Sequence, residues 1–291
     1  MYTIQNQYLK AEFIAKGAEL QSLFHLQNQT EYLWQADPNH WGKHAPILFP
    51  IVGALKENTY QYNQESFTLT RHGFARDRKF DVVDQQAEAI TFCLKADENT
   101  RQQFPFSFEL YVSYRLVEES LVVEYKVVNC DRKTMYYGIG GHPAFNAPID
   151  SRLSFEDYEL VFEKGKFLQQ IPLVDNCLDL TNALKEVSQS VYPLTHDLFK
   201  NDALVFETTT DEVQITLQSK KDTRKVIVSY KDLPFVGLWS TYPIASDFVC
   251  IEPWASVADI VTTNGQLTEK YGIEELAENQ EKTYQYVITV K

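Results

Sequence analysis

Long hydrophobic runs are missing from this 291-residue chain: no uncharged apolar stretch approaches the roughly 20 residues that a membrane-spanning helix needs. The segment "MYTIQNQYLKAEF" has neither the basic start nor the apolar stretch of a signal peptide, so the expectation is a cytoplasmic protein that meets no membrane. Paired cysteines are missing too. Cys93, Cys130, Cys177 and Cys250 are scattered without a C-x-x-C pair for zinc or redox chemistry, and they read as small buried thiols with no role. Positive charge is in deficit. The formal net charge is −13, spread along the chain without an acidic tail, and a field of that sign repels phosphate backbones and anionic lipid, so nucleic acid is not an expected partner. Glycine and proline, 11 of each, never gather into a linker, and no stretch repeats with the period of a solenoid, so one domain spanning residues 1–291 is expected.

Helical periodicity is also scarce, confined to brief candidates such as Leu267 to Leu276, whereas period-two alternation runs almost throughout. "YTIQN", "LKAEFIAK", "AELQSLFHL" and "EYLW" read as short neighbouring strands. In "FSFELYVSYRLVEESLVVEYKVVN", Phe108, Leu110, Val112 and Tyr114 share one face, and Leu121, Val123, Tyr125 and Val127 resume after Glu118 and Glu119, which predicts a long hairpin. "RKFDVVDQQAEAITFCLKAD" and "ALVFETTTDEVQITLQSKKDTRKVIVSY" repeat the idea, and "KTYQYVITVK" supplies a further strand. The 17 Tyr and 18 Phe suit pleated, half-buried surfaces. The fold class is therefore all-β, with so many antiparallel strands pointing to a large β-sandwich of packed sheets.

Three segments share an arrangement: "TRHGFARDR", "YYGIGGHPAFN" and "FVCIEPWAS" each put a proton-handling side chain, His72, His142 or Glu252, near an apolar run and beside Gly or Pro. A polar residue facing the interior of a sandwich costs free energy unless it is hydrogen-bonded or faces a wet cleft, so three of them suggest a cleft. A carboxylate enclosed as Glu252 is would have its pKa raised by desolvation or lowered by a cationic neighbour, and acid/base chemistry uses either shift. Arg71, Arg76 and Arg78 surround His72 and offer forked donors to hydroxyls or a phosphate, although one turn of strand cannot aim all three the same way. Trp239 and Trp254 can lay an indole on the C–H face of a sugar, or simply pack the core. His40 and His44 are spaced i, i+4, but Pro46 opposes a helix across both, so they read as loop histidines and no metal site is assigned to them.

At these residues the sequence resembles the aldose 1-epimerase (mutarotase) family, and within it the LacX-like branch. "PILFPIVG", "RHGFARD", "GGHPAFN", "GLWS" and "CIEPW" occur in the family's order across nearly the whole chain. The resemblance implies a galactose-mutarotase-like β-supersandwich, no cofactor, a small sugar substrate and interconversion of its α and β anomers. It also assigns Glu252 as base, His142 as general acid, His72 as the second histidine near the ring oxygen, and Arg76 as a ligand of substrate hydroxyls. Arg71, Trp239 and Asn146, the last residue of "GGHPAFN", complete the expected substrate contacts. Two departures concern the sugar. Where galactose-type members carry an arginine ahead of the first histidine, "GALKENTY" offers only Lys56, and for the aspartate that holds sugar hydroxyls Asp232 and Asp247 are the candidates.

The chemistry follows without the family. Anomer exchange takes the proton from O1 and gives one to O5, the ring opens, C1–C2 rotates, and reclosure reverses both transfers, so one acid and one base suffice. Three rival readings stand beside it: a hexose-6-phosphate mutarotase, a non-catalytic carbohydrate-binding or sensing protein, and a two-His, one-carboxylate metal site, whose usual H-x-D/E spacing is absent. The net negative charge favours a neutral aldohexose over a phosphosugar.

Overall fold

The computed structural model describes residues 1–209 and 211–291, and these are arranged as antiparallel sheets with almost no helix. Among the described residues the one α-helix is Glu98–Arg101, capped by Asp97, whose side chain accepts from the Thr100 N–H. No helix there is long and apolar enough to cross a membrane. The larger sheet has nine strands and the next has eight. The predicted hairpin lies at the heart of the first: Phe108–Val117 pairs with Ser120–Asn129 from Phe108↔Asn129 to Val117↔Ser120. Its alternation is kept, with Phe108, Leu110, Val112, Tyr114 and Leu116 buried. Asp81–Gln85 with Ala89–Lys95, and Val213–Ser219 with Asp222–Tyr230, form hairpins of the same sheet, and Glu281–Val290 joins the halves.

The eight-stranded sheet carries Phe167–Ile171, Leu204–Thr208, Phe235–Trp239 and Phe248–Trp254 side by side, then Gly140–Gly141 and Ile47–Leu48, with Ala144–Asn146 also on Phe248–Trp254. The two sheets meet where a side chain at Gly141 would strike the Tyr286 hydroxyl. A continuous apolar cluster runs between them from Ile4 to Val290.

Three expectations need correction. Leu204–Thr208 does not pair with Val213–Ser219 but crosses to the other sheet beside Phe235–Trp239, where it is covered on both faces and the adjacent Val205 and Phe206 are both buried; Thr210, in the connection, lies outside the described residues. Leu267 to Leu276 is a 3-10 turn, Leu267–Glu269, followed by the short strand Glu274–Leu276, since Gly272 at φ +66° interrupts the stretch. Of the four free cysteines, Cys130 is exposed and not buried.

Candidate active site

Every residue of Phe248–Trp254 is buried, which explains why the stretch reads as an apolar run without alternation: it is a central strand with neighbours on both edges and packing on both faces. Pairing fixes what meets what. Ala144 opposes Cys250 and Gly140 opposes Trp254, so the residue midway, His142, stands across from Glu252. Directly opposed side chains on one face of a sheet are nearest neighbours. His142 Nε2 accordingly lies 3.2 Å from Glu252 Oε2, with side-chain exposures of only 9% and 2%. The pair is close without being aligned, and Glu252 Oε2 and His142 Nδ1 are both buried with no hydrogen-bond partner.

The prolines that follow these residues have a structural reason. Ile251 N–H donates to Pro143 O and Ala255 N–H to Ile139 O, and Pro253 sits between them on the same edge. Having no N–H, it leaves the ladder open beside His142. Glycines then set the floor. On the other edge Glu252 opposes Gly237, and a side chain at either Gly237 or Gly140 would strike the Trp254 indole, so these two glycines let that ring lie across the strands.

His72 arrives from outside the sheet, on a turn closed by Gly73 N–H to Thr70 O. It holds φ at +70°, the sign that the third residue of a type II turn requires, and a non-glycine residue so placed is strained. Two bonds to Gly53 hold it: His72 N–H donates to Gly53 O, and Gly53 N–H donates to His72 Nδ1 at 3.1 Å. Accepting at Nδ1 puts the proton of the neutral imidazole on Nε2, which makes that atom a donor. The His72 and His142 rings meet edge to face, 5.5 Å between centroids, and Trp41 stacks on His142 at 5.0 Å.

Burial sets the protonation. It raises the Glu252 carboxyl well above the ordinary range, with Asp202 adding to the rise, and it lowers both His142 and His72. In the empty cleft, burial thus favours the neutral form of both members of the Glu252–His142 pair.

These groups line one cavity of about 260 Å³, at the small end of ligand sites, which commonly span about 300–1,000 Å³. Glu252, His142, His72, Arg76, Arg71 and Trp239 all border it. Arg76 donates from Nη2 to Arg71 O, and its buried Nε makes no hydrogen bond, with Asp77 Oδ2 3.7 Å away. Arg71 reaches Asp202 at 2.9 Å and Asn176 at 2.5 Å on the rim. Arg78 turns away to the face of Phe74.

Asn146 is not among the lining residues. It follows His142 by four positions on the neighbouring strand, and its amide is spent on Glu31 O. Asp232 and Asp247 are both exposed and away from the cavity, Asp232 in a turn at φ +60°; the lining aspartate is Asp202. Lys56 is exposed and donates to Val261 O. His40 and His44 lie in a turn and a bend, as expected of loop residues, with His40 against Ser246. Sequence reasoning missed Trp41, Asn176 and Asp202. Trp41 had one signal, its place between the two loop histidines; the other two sit in polar stretches with none. For a metal ion, the ligand atoms of His142, Cys250 and Glu252 lie within 4.8 Å of one another.

The sequence model of aldose 1-epimerases matches residues 1–272. The chain belongs to the aldose 1-epimerase family. Protein LacX from Lactococcus lactis subsp. lactis is 32% identical over 299 residues, covering 99% of this chain and 98% of that protein. Among solved structures, a galactose mutarotase related enzyme from Lactobacillus acidophilus superposes with a TM-score of 0.97 at 40% identity, covering 100% of this chain and 97% of that one. A galactose mutarotase-like protein from Lactobacillus casei gives 0.92 at 30%, with both chains fully covered. The chain is thus an aldose-1-epimerase-type isomerase with a galactose-mutarotase-like β-sandwich.

Proposed function

We propose that this aldose 1-epimerase homologue interconverts the α and β anomers of a neutral aldohexose, with Glu252 and His142 exchanging protons with the sugar. The observation that carries this reading is the buried pair itself: an acid and a base 3.2 Å apart, each with an unpartnered atom, on the wall of a sugar-sized cavity. On sugar binding the Glu252 proton shifts to His142, 3.2 Å away; the Glu252 carboxylate then takes the O1 proton while the His142 imidazolium protonates O5, and the C1–O5 bond breaks as C1=O forms. What remains after opening is a carboxylic acid and a neutral imidazole, the form that burial favours, so the open-chain stage is not opposed by the desolvation that opposes the charged pair. Rotation about C1–C2 and reversal of both transfers close the ring on the other face. No net proton leaves the site.

His72 Nε2–H and Arg76 Nε are donors for ring and hydroxyl oxygens. Trp239 and Trp254 offer apolar faces for the C–H side of the ring. A neutral sugar is favoured because the arginines do not converge: Asp202 already compensates Arg71, and Arg78 faces away. The galactose mutarotase names of the similar structures also favour an aldohexose. We read residues 1–291 as one domain, supported by the apolar cluster that includes both Ile4 and Val290.

The test follows the optical rotation of freshly dissolved α-glucose and α-galactose, and the anomeric NMR signals of their 6-phosphates. Faster equilibration of a neutral hexose than in buffer is expected. No acceleration of any of the four would leave a binding protein.

A further inference from the structure

We infer that this cleft is also an inhibitory site for a thiophilic divalent cation such as Zn²⁺, held by His142 Nε2, Glu252 Oε2 and Cys250 Sγ. Cys250 is a fully buried thiol that the proposed proton transfers do not use. Cys250 and Glu252 are two apart on one strand and so point to the same face, and His142 stands across from Glu252. Opposite Cys250 is the small side chain of Ala144. The result is one nitrogen, one oxygen and one sulfur within 4.8 Å of one another.

The separation of the nitrogen and oxygen ligands fits zinc. Zn–N and Zn–O bonds near 2.0–2.1 Å in a tetrahedron put the two ligand atoms about 3.3 Å apart. The observed separation is 3.2 Å. Glu252 Oε2 has no hydrogen bond to give up, and its side chain is 98% buried at the cavity wall. An imidazole, a carboxylate and a thiolate suit zinc and cobalt rather than magnesium or calcium, which take oxygen sets. The Cys250 thiol and the Glu252 carboxyl each release a proton to solvent as the metal–sulfur and metal–oxygen bonds form. Three protein ligands leave a fourth position open to the cavity. A cation so bound occupies both the base and the acid, so it blocks proton transfer and competes with the sugar.

The inference rests on the mutarotase reading for its inhibitory effect but not for binding, and the experiment separates the two. Chelator-treated protein is titrated with Co²⁺, reading the thiolate-to-cobalt charge-transfer absorption, and then with Zn²⁺, reading displacement of that absorption and the mutarotation rate. One equivalent of Co²⁺ should give the band, Zn²⁺ should abolish it, and the sugar should weaken both. In Cys250→Ala the band should vanish and inhibition by Zn²⁺ should weaken about tenfold or more, with turnover in chelator unchanged. Cys130→Ser, which removes the exposed thiol, should behave like the wild type. A cobalt spectrum without the thiolate band in the unaltered protein overturns the inference and needs no variant to fold. So does a band lost in Cys130→Ser but kept in Cys250→Ala, or mutarotation that rises with stoichiometric metal. A band that depends on Cys250 in a protein without mutarotase activity would support the metal site and refute the proposed function.

Discussion

Glu252 concentrates the conflict between stability and chemistry in one side chain. Its folded pKa is raised, so between the ordinary glutamate range near about 4.3 and that raised value the folded state holds a proton that the unfolded chain has lost. Stability from this group is full below the ordinary range and falls as pH rises through the window. Glu252→Gln removes the titration and keeps the shape. Its unfolding free energy in urea relative to the wild type should therefore climb as pH rises above the ordinary glutamate range, by up to about 1.4 kcal/mol per pH unit. Turnover should drop by about two to four orders of magnitude at the same time. A variant with full turnover would sink the acid/base roles, and a flat stability difference would show that the carboxyl is ionised in the empty cleft. His142 runs the other way. Burial lowers its pKa, so its contribution is lost as pH falls below the ordinary histidine range near about 6.5, and acid should destabilise the wild type and Glu252→Gln alike there.

The elements that deliver these side chains are short, and their precision comes from glycines and turns rather than long strands. Gly73 follows His72 at φ +68°, and a Cβ there would drive into the Phe49 carbonyl. Gly73→Ala should thus cost about 1–3 kcal/mol from conformation and crowding, and lower kcat/KM by moving the His72 turn. Gly42→Ala is the control. A Cβ at Gly42 comes no nearer than 3.8 Å to its neighbours, so unfolding and kinetics should stay at wild-type values. Denaturant midpoints and anomerisation kinetics of the two variants check this; equal effects would remove the turn argument. Element existence was readable where alternation was long, as in Phe108–Val117, because one face packs and the other meets solvent. What was not readable was the partner of Leu204–Thr208, whose sheet is chosen by contacts with Phe235–Trp239, some way along the chain.

At the scale of the whole molecule the net charge of −13 opposes the approach of anionic sugars, and the field is screened beyond about 8 Å at physiological salt. The kcat/KM for glucose or galactose should be insensitive to ionic strength, and that for the 6-phosphates lower and rising with salt. Arg76→Ala should raise KM for the neutral sugar through lost hydroxyl contacts, by about tenfold for one hydrogen bond from a charged donor. A phosphosugar advantage that shrinks with salt and disappears in Arg76→Ala would reverse the substrate assignment.

The sequence by itself determined the fold class, because period-two alternation and aromatic content are local properties that any sheet must satisfy. It also determined which proton-handling residues were anomalous, since a carboxylate inside "FVCIEPW" needs a reason whatever surrounds it. The tertiary structure alone decided that His142 stands across from Glu252, that Arg71 is compensated by Asp202, that Asn146 turns to Glu31 and that Cys250 lies beside the acid/base pair. Register is the physical reason. A strand's faces are written in its own residues, but its partner and its offset are set by side chains more than a hundred positions away, and a shift of one residue would send His142 to the opposite face.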